Sequence, residues 1–547
     1  MKKLLNKIKS LSIGITIKTS SIDKLNKLLE KRGVWIVGII LSLVSAFFFY
    51  YYLKNELGLA YNDARSHLDI GRRVVEGLKP GIAQLGSVWL PLNHILMIPL
   101  VWSDWAWHSG FAGAFWNMIS FVGTGVLVYK FLEKLNVGKI ARFFGVLVFA
   151  ANLNILYLQS TAMTEPLLLF TMLGGCYYLM LWAKGKNILD LVKSSVWIML
   201  STLIRYDGWF LLAFAAFIVL FITWKNKGYK VAEGLVILFS TMAAFGIFLW
   251  LFWNLAIFKD PLYFILGPFS ARAQQQVLLD AGNLPTKGNI LLSTQIFLYS
   301  VLYNSIATTG IVGLLAFLYL FFDKREKFDI RFSTLSLLSP LFFNIAALTA
   351  GFSVIFVQGI SGNTWFNIRY GIMLLPSLAI FLGFMVDRIK SIRWVTILVY
   401  LFITFFAFAN NDAVAIDDAR VGSSQKNVSE VAGFLEKNAK DKPGFILISA
   451  ASHDAIIFSS NLPMKKFIHE GTGLYWESAL ATPDRWARWI VMRTYDLADL
   501  TYKGVYEKAG FIDHYHLVDS YPFADVYELN EEYLPNLNTT PTYGRQK

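Results

Sequence analysis

The sequence predicts a polytopic α-helical membrane protein of about 11 transmembrane helices, followed by a C-terminal extracytoplasmic α/β domain. Three observations predict it. Of 547 residues, 55% are hydrophobic and 16% aromatic, and the mean hydropathy is +0.49, more apolar surface than a soluble chain of this length can use. The net charge of +13 is carried by Lys and Arg in short loops between apolar runs, which is the topology signal of membrane proteins and argues against a nucleic-acid partner. From Asn410 onward the charge density rises, and strand-like runs alternate with helix-like ones. The single cysteine, Cys176, lies in an apolar run, so there is no disulfide framework, and its thiol reads as a small core group.

Residues 1–33 carry Lys2, Lys3, Lys7, Lys9, Lys18, Lys24, Lys27, Lys31 and Arg32, a basic amphipathic lead expected on an anionic cytoplasmic leaflet. Residues 34–53 are apolar and long enough to span, with no small-residue cleavage site after them, so they read as an anchor. The N-terminus is then inside, and the loop 54–110 is outside. The stretch 88–108 is interrupted by Pro91, Asn93, His94, Pro99 and Asp104. If it spanned, Lys130, Lys134, Lys139 and Arg142 would lie outside, against the positive-inside rule. It is therefore expected to be interfacial or re-entrant, with Trp89, Trp102, Trp105 and Trp107 at headgroup depth. Further spans are expected at 111–129, 143–158, 162–182, 195–204, 208–224, 231–258, 303–322, 333–357, 370–386 and 394–409, with 259–290 an outside loop. This divides the chain into the lead 1–33, a membrane domain 34–409 and an outer domain 410–547. In the outer domain strands are expected at 445–450, 467–469, 489–492, 515–518 and 525–529, and a helix at 497–509. It has no P-loop and no GxGxxG.

Charge is densest just after the first span, where Asp63, Arg65, His67, Asp69, Arg72, Arg73 and Glu76 precede the breakers Gly77, Pro80 and Gly81. Asp63 and His67 are i, i+4 neighbours on one helix face. Under this topology Asp63, Glu165, Arg205, Asp207 and Arg369 all fall at the outer ends of helices, although none was used to set the topology. Ionisable groups at membrane depth are costly and usually functional. The structural alternatives are plain: Asp63 and Glu165 as first-turn acids, Arg205 with Asp207 as an interfacial ion pair, Arg369 as an anchor, and His67 as a hydrogen-bonded structural residue. No HxH or HExxH spacing marks a metal site near these positions.

Asp63, Arg65 two residues on, a short helix at 68–78, the turn at Pro80 and the run Trp89-Leu-Pro-Leu92 resemble the first extracytoplasmic loop of the GT-C membrane glycosyltransferases. The branch in question holds protein O-mannosyltransferases and lipid A aminoarabinose transferases. Glu165 matches an acidic position in that family's second outer loop, and Arg369-Tyr370 matches an Arg-Tyr pair at the start of a late helix. Two positions depart from the pattern: Ala64 stands where a second acid often follows, and Trp89 where a lysine often precedes the prolines. The resemblance implies an enzyme of the plasma (cytoplasmic) membrane that moves a sugar from a polyprenyl-phosphate donor to a hydroxyl on a glycan, lipid or protein acceptor at the outer face. Asp63 would be the general base, kept ionised by Arg65. Arg369, Arg205 and Tyr370 would face the lipid phosphate, with Glu165, His67 and Asp207 in support. A single base implies inversion at the anomeric carbon. A divalent metal held by Asp63 and Glu165, as in oligosaccharyltransferases, is the alternative to a metal-free site, although no D-x-D stands at the second loop. Two other classes compete, a transporter or flippase of lipid-linked glycans and a non-catalytic envelope assembly factor. The first predicts internal repeats, which the sequence does not show.

Overall fold

The computed structural model describes residues 19–268, 270–422 and 426–538, with side chains from residue 32 onward. Most of the basic lead, 1–18, lies outside the described residues. Among them, eight helices are long and apolar enough to cross a membrane, and a bent pair brings the number to nine. The chain begins with α1 (Thr19–Lys54), whose apolar part is Arg32–Lys54. The first outer loop carries α2 (Asn62–Val75), α3 (Leu92–Met97) and α4 (Asp104–His108). The last two are far too short to span, and the 88–108 stretch stays beside the bundle.

The expected helix at 68–78 starts earlier, because Asn62 and Asp63 already belong to the first turn of α2. It also ends earlier, at an extended Glu76 followed by Gly77 with φ +142°. α5 (Phe111–Lys134) covers the span expected at 111–129 and is long and apolar enough to cross. Where one span is expected at 143–158 the chain forms two short helices outside that count, α6 (Lys139–Ala150) and α7 (Leu153–Leu158), and Asn152 caps the second by accepting from the amides of Asn154 and Ile155. α8 (Glu165–Gly185) opens with Pro166 in its first turn. α9 (Ile188–Thr202) has 15 residues, about 22 Å at 1.5 Å per residue, and packs against α8. α10 (Asp207–Lys227) and α11 (Tyr229–Phe258) follow.

The largest correction lies at 303–322, where one span is expected. The chain instead forms α12 (Ile290–Ser305) and α13 (Ala307–Phe322), bent by 113° at Ile306, which has φ +65°. A β-branched residue with positive φ is strained, and no Gly or Pro marks the break. The outside loop before it is partly helical, at Tyr263–Leu266 and Ala271–Asp280. The next span, Phe328–Ala350, ends in α14 (Ser339–Ala350). A 3-10 turn, Ile368–Leu374, then leads into α15 (Leu375–Arg388). This turn lies flat on α12. A Cβ added at Gly371 would sit 2.1 Å from the Ser300 carbonyl oxygen, so only glycine permits the approach. Gly371→Ala is expected to destabilise the fold by about 1–3 kcal/mol through overpacking. An unchanged thermal unfolding temperature in detergent would show that the two backbones do not meet.

α16 (Arg393–Ala409) is followed by α17 (Val414–Val421), which turns back onto α7 and the Ile368–Leu374 turn. Beyond it lies a five-stranded sheet in the order β2-β1-β3-β5-β4, with β1 Phe445–Ile448, β2 Phe467–Ile468, β3 Ala487–Met492, β4 Tyr515–Ser520 and β5 Asp525–Leu529. β2, β1 and β3 are parallel, while β5 and β4 are antiparallel. β1 is buried along its whole length, as expected of a parallel strand covered on both faces. α18 (Ala450–Ser459) sits on α2, where Arg73 meets Asp454 at 3.4 Å, and Gln84 donates to the Gly471 carbonyl at 2.7 Å. The sheet domain therefore rests on the first outer loop.

Candidate functional site

Arg369 stands at the start of the 3-10 turn, and its side chain is buried. Its Nη2 donates to Asp63 Oδ2 at 2.7 Å and its Nε to Glu165 Oε1 at 3.0 Å, while Nη1 lies 3.5 Å from Asp418 Oδ2. The carboxylates come from the first turn of α2, the first residue of α8 and the middle of α17. Acids at the N-terminal turns of α2 and α8 also face the positive end of each helix dipole. Below the guanidinium lies the ring of Tyr61, its centroid 4.6 Å away. The Tyr61 hydroxyl donates to the Ala415 carbonyl at 2.8 Å, with Asp418 Oδ2 at 3.1 Å. Burial, and after it the charge of Asp418, pushes the Tyr61 phenol well above its ordinary value, so it remains a donor.

A second arginine extends the cluster. Arg205 Nε lies 3.2 Å from Asp207 Oδ2, and its Nη1 lies 3.5 Å from the same Glu165 Oε1 that Arg369 holds. Its guanidinium stacks over the Tyr370 ring at 4.4 Å. Glu165 is thus shared between two cations and has no access to water. Two charged side chains of the cluster reach water, Asp63, 39% exposed, and Arg205, 19% exposed.

Asp63, Glu165, Arg205, Asp207, Arg369 and Tyr370 are therefore brought together. Arg65 is not. Instead of pairing with Asp63, its Nε donates to the Leu59 carbonyl at 2.9 Å and its Nη1 reaches Asn62 Oδ1 at 3.4 Å. The cation beside Asp63 is Arg369, because Arg65 points back along its own turn. Asp418 and Tyr61 went unrecognised in the sequence. Tyr61 directly precedes the charged stretch. Asp418 sits one turn from Ala415 and beside Ala419, both buried, which is a faint sign of an inward face in a segment whose composition resembles the sheet domain. The Arg369 guanidinium fills the space between Asp63 and Glu165, so the two do not form a cation site in this arrangement. Among the described residues no group of three or more His, Cys, Asp or Glu is placed to hold a metal.

His67 lies one turn beyond Asp63. Its Nδ1 is 2.8 Å from His94 Nε2, and its ring lies 4.3 Å from that of Trp89, centroid to centroid. Burial, with the charges of Arg369 and Arg205, lowers His67 to about 3, and burial with His67 and Arg73 lowers His94 as well. Both rings are neutral at pH 7. The unfolded chain binds these protons near pH 6.5 and the folded chain does not, so stability is fullest above about pH 6.5 and falls as the pH drops toward 3. The thermal unfolding temperature is expected to fall between pH 7 and pH 5, and to fall less in His67→Asn. An equal fall in both proteins would place the acid sensitivity elsewhere.

By sequence, the chain matches no family model and no curated protein. By shape, it is similar to the crystal structure of ArnT from Cupriavidus metallidurans in the apo state, with a TM-score of 0.58 over 91% of this chain and 98% of that one, at 12% identity. ArnT from the same organism bound to undecaprenyl phosphate gives 0.56 over 92% and 99%, at 11% identity. The Archaeoglobus fulgidus oligosaccharyltransferase in the apo form gives 0.50 over 85% and 70%, also at 11% identity. The fold is the one these crystal structures share, with a helical bundle and a small sheet domain at its C-terminal end.

Proposed function

We propose that the chain is an integral membrane glycosyltransferase that moves a sugar from a polyprenyl-phosphate donor to an acceptor hydroxyl on the extracytoplasmic face. The observation that carries this reading is the junction of Asp63, Glu165 and Asp418 on Arg369, with Asp63 and Arg205 left open to water. Such a donor joins an apolar tail, a phosphate and a sugar. It calls for a cation at headgroup depth and a carboxylate within reach of water, and this cluster offers both. A crystal structure of ArnT, alike in fold, is described as bound to undecaprenyl phosphate, which supports a lipid-phosphate donor here.

In the reaction, the acceptor oxygen attacks the anomeric carbon as Asp63 takes the hydroxyl proton. The bond from that carbon to the phosphate oxygen breaks, and polyprenyl phosphate leaves with the electron pair. Arg205, the more open arginine, meets the charge that builds on the leaving phosphate. Arg369, expected from sequence at the phosphate, here turns all three nitrogens toward carboxylates. We assign it to hold Asp63 in place and to supply a second cation behind Arg205. With Asp63 as the one water-facing carboxylate and attack opposite the leaving group, the product is inverted. The site faces outward, with the N-terminus in the cytoplasm and the sheet domain outside.

Two measurements test the proposal. The purified protein should bind undecaprenyl phosphate, and deleting the gene should leave an unused lipid-linked sugar in the membrane. Absence of both results would reject the reading. Topology is tested by reporter fusions, with Lys186, Lys327 and Lys390 expected to read cytoplasmic and Gln358 and Lys547 outside. A cytoplasmic signal at Lys547 would part the sheet domain from the Asp63 face.

A further inference from the structure

The break between α12 and α13 holds more than a bend. A helix end leaves carbonyls without partners, and the Asn304 carbonyl oxygen here accepts from the side-chain amides of Asn152 at 2.7 Å and Asn154 at 3.2 Å. The Asn304 amide in turn donates to the Ile368 carbonyl at 2.6 Å and to the Ser300 carbonyl at 2.9 Å. The Ser300 hydroxyl donates to the same Ile368 carbonyl at 2.7 Å. The peptide that leads into Arg369 is therefore gripped by two donors from the end of α12. On the other side of the bracket, Asn154 Oδ1 accepts from the Ala415 amide at 2.9 Å, on the helix that carries Asp418. Asn152, Asn154, Ser300 and Asn304 are all buried, and no hydrogen bond described above joins any of them to the ion cluster.

Resting on the glycosyltransferase reading, we infer that Asn304 is a positioning residue. It fixes the Ile368 carbonyl, and through it the place at which the Arg369 guanidinium meets Asp63. The amide is suited to this because it donates to Ile368 while its own main-chain oxygen is held by Asn152 and Asn154, so a shift at Ile306 carries over to the arginine. A displacement of about 1 Å at a reacting group can cost 10²-fold.

The test is a double-mutant cycle on turnover and on thermal unfolding, using purified full-length protein in detergent with polyprenyl-phosphate sugars as donors. Asn304→Ala is expected to lower kcat about 10²-fold with little change in KM, and to add little further loss in an Arg369→Lys background. A residue that only stabilises the fold would lower activity by the same factor in both backgrounds, and that outcome overturns the inference. If Asn304→Ala yields no folded protein, Ser300→Ala removes the other donor to the same carbonyl and carries the cycle instead. It is expected to lower kcat about tenfold, again without adding to Arg369→Lys, and an unchanged kcat overturns the inference. A wild-type protein that transfers no sugar would reject the preceding reading. The thermal cycle then decides alone, with non-additive shifts supporting the placement of Arg369 by Asn304 and additive shifts overturning it.

Discussion

Asp63→Asn is expected to abolish sugar transfer, lowering turnover by about 10²–10⁴-fold, the usual contribution of a general base. The asparagine keeps the size of the side chain and can still accept a hydrogen bond from Arg369, which now reaches Asp63 Oδ2 at 2.7 Å. What it cannot do is take the acceptor's proton. Because Asp63 is the most open carboxylate of the cluster, its loss leaves the buried pairs of Arg369 with Glu165 and Asp418 in place. Expression, membrane insertion and binding of undecaprenyl phosphate should therefore stay near wild type. Asp63→Glu should recover part of the activity, since one methylene displaces the carboxylate by about the 1 Å that can cost 10²-fold. The measurement is transfer from purified polyprenyl-phosphate sugar in detergent, run beside a lipid-phosphate binding assay. Wild-type turnover in the asparagine variant would make Asp63 a structural acid and move the search for the base to Glu165 and Asp207. It would also bring back the scaffold reading.

Arg369→Ala is expected to do more than slow the reaction. Glu165 and Asp418 are both shut off from water, and Arg369 contacts both. Removing one partner of a buried pair typically costs about 3–5 kcal/mol, because a charge is left without compensation. The expected result is a low yield of folded protein, a lower unfolding temperature and no measurable transfer. Arg369→Lys keeps the charge and loses the fork, so it should fold better than the alanine variant but position Asp63 poorly. The diagnostic variant is Arg369→Ala combined with Glu165→Gln. If charge imbalance is the cause, the neutral glutamine should restore part of the stability without restoring activity. An alanine variant as stable as wild type would show that the carboxylates find another counter-charge.

The membrane class was legible because an apolar run of spanning length has few readings, although eight or nine such helices stand among the described residues where about 11 were expected. Strand β5 was legible to the residue, at Asp525–Leu529, as a strand-like run of the outer domain. The convergence of Asp63, Glu165, Arg205, Asp207 and Arg369 at one end of the helices was also legible, since it needs only the direction of each span. Pairing was not. Arg65 is near Asp63 in sequence and turned away in space, while Arg369 is 306 residues distant and in contact with it. Spacing along a helix says which residues share a face and nothing about which distant turn will meet that face. The break at Ile306 had no breaker residue to announce it. The Asn304 carbonyl just before it is held by side chains more than a hundred residues away, at Asn152 and Asn154.

Those long separations bear on how the protein is made. The chain emerges from the ribosome in order, and its early segments enter the bilayer before the late ones exist. Glu165 reaches its place 204 residues ahead of Arg369, and Asp63 is synthesised 306 residues before it. During that interval the start of α8 has Arg205, made soon after it, as its one cation from the cluster, and the site stays incomplete. Completion of the Ile368–Leu374 turn and of α17 brings in Arg369 and Asp418 and closes the cluster. The ion cluster is therefore complete only once the chain has passed Asp418, and a chain that stops before Arg369 leaves Glu165 with Arg205 alone.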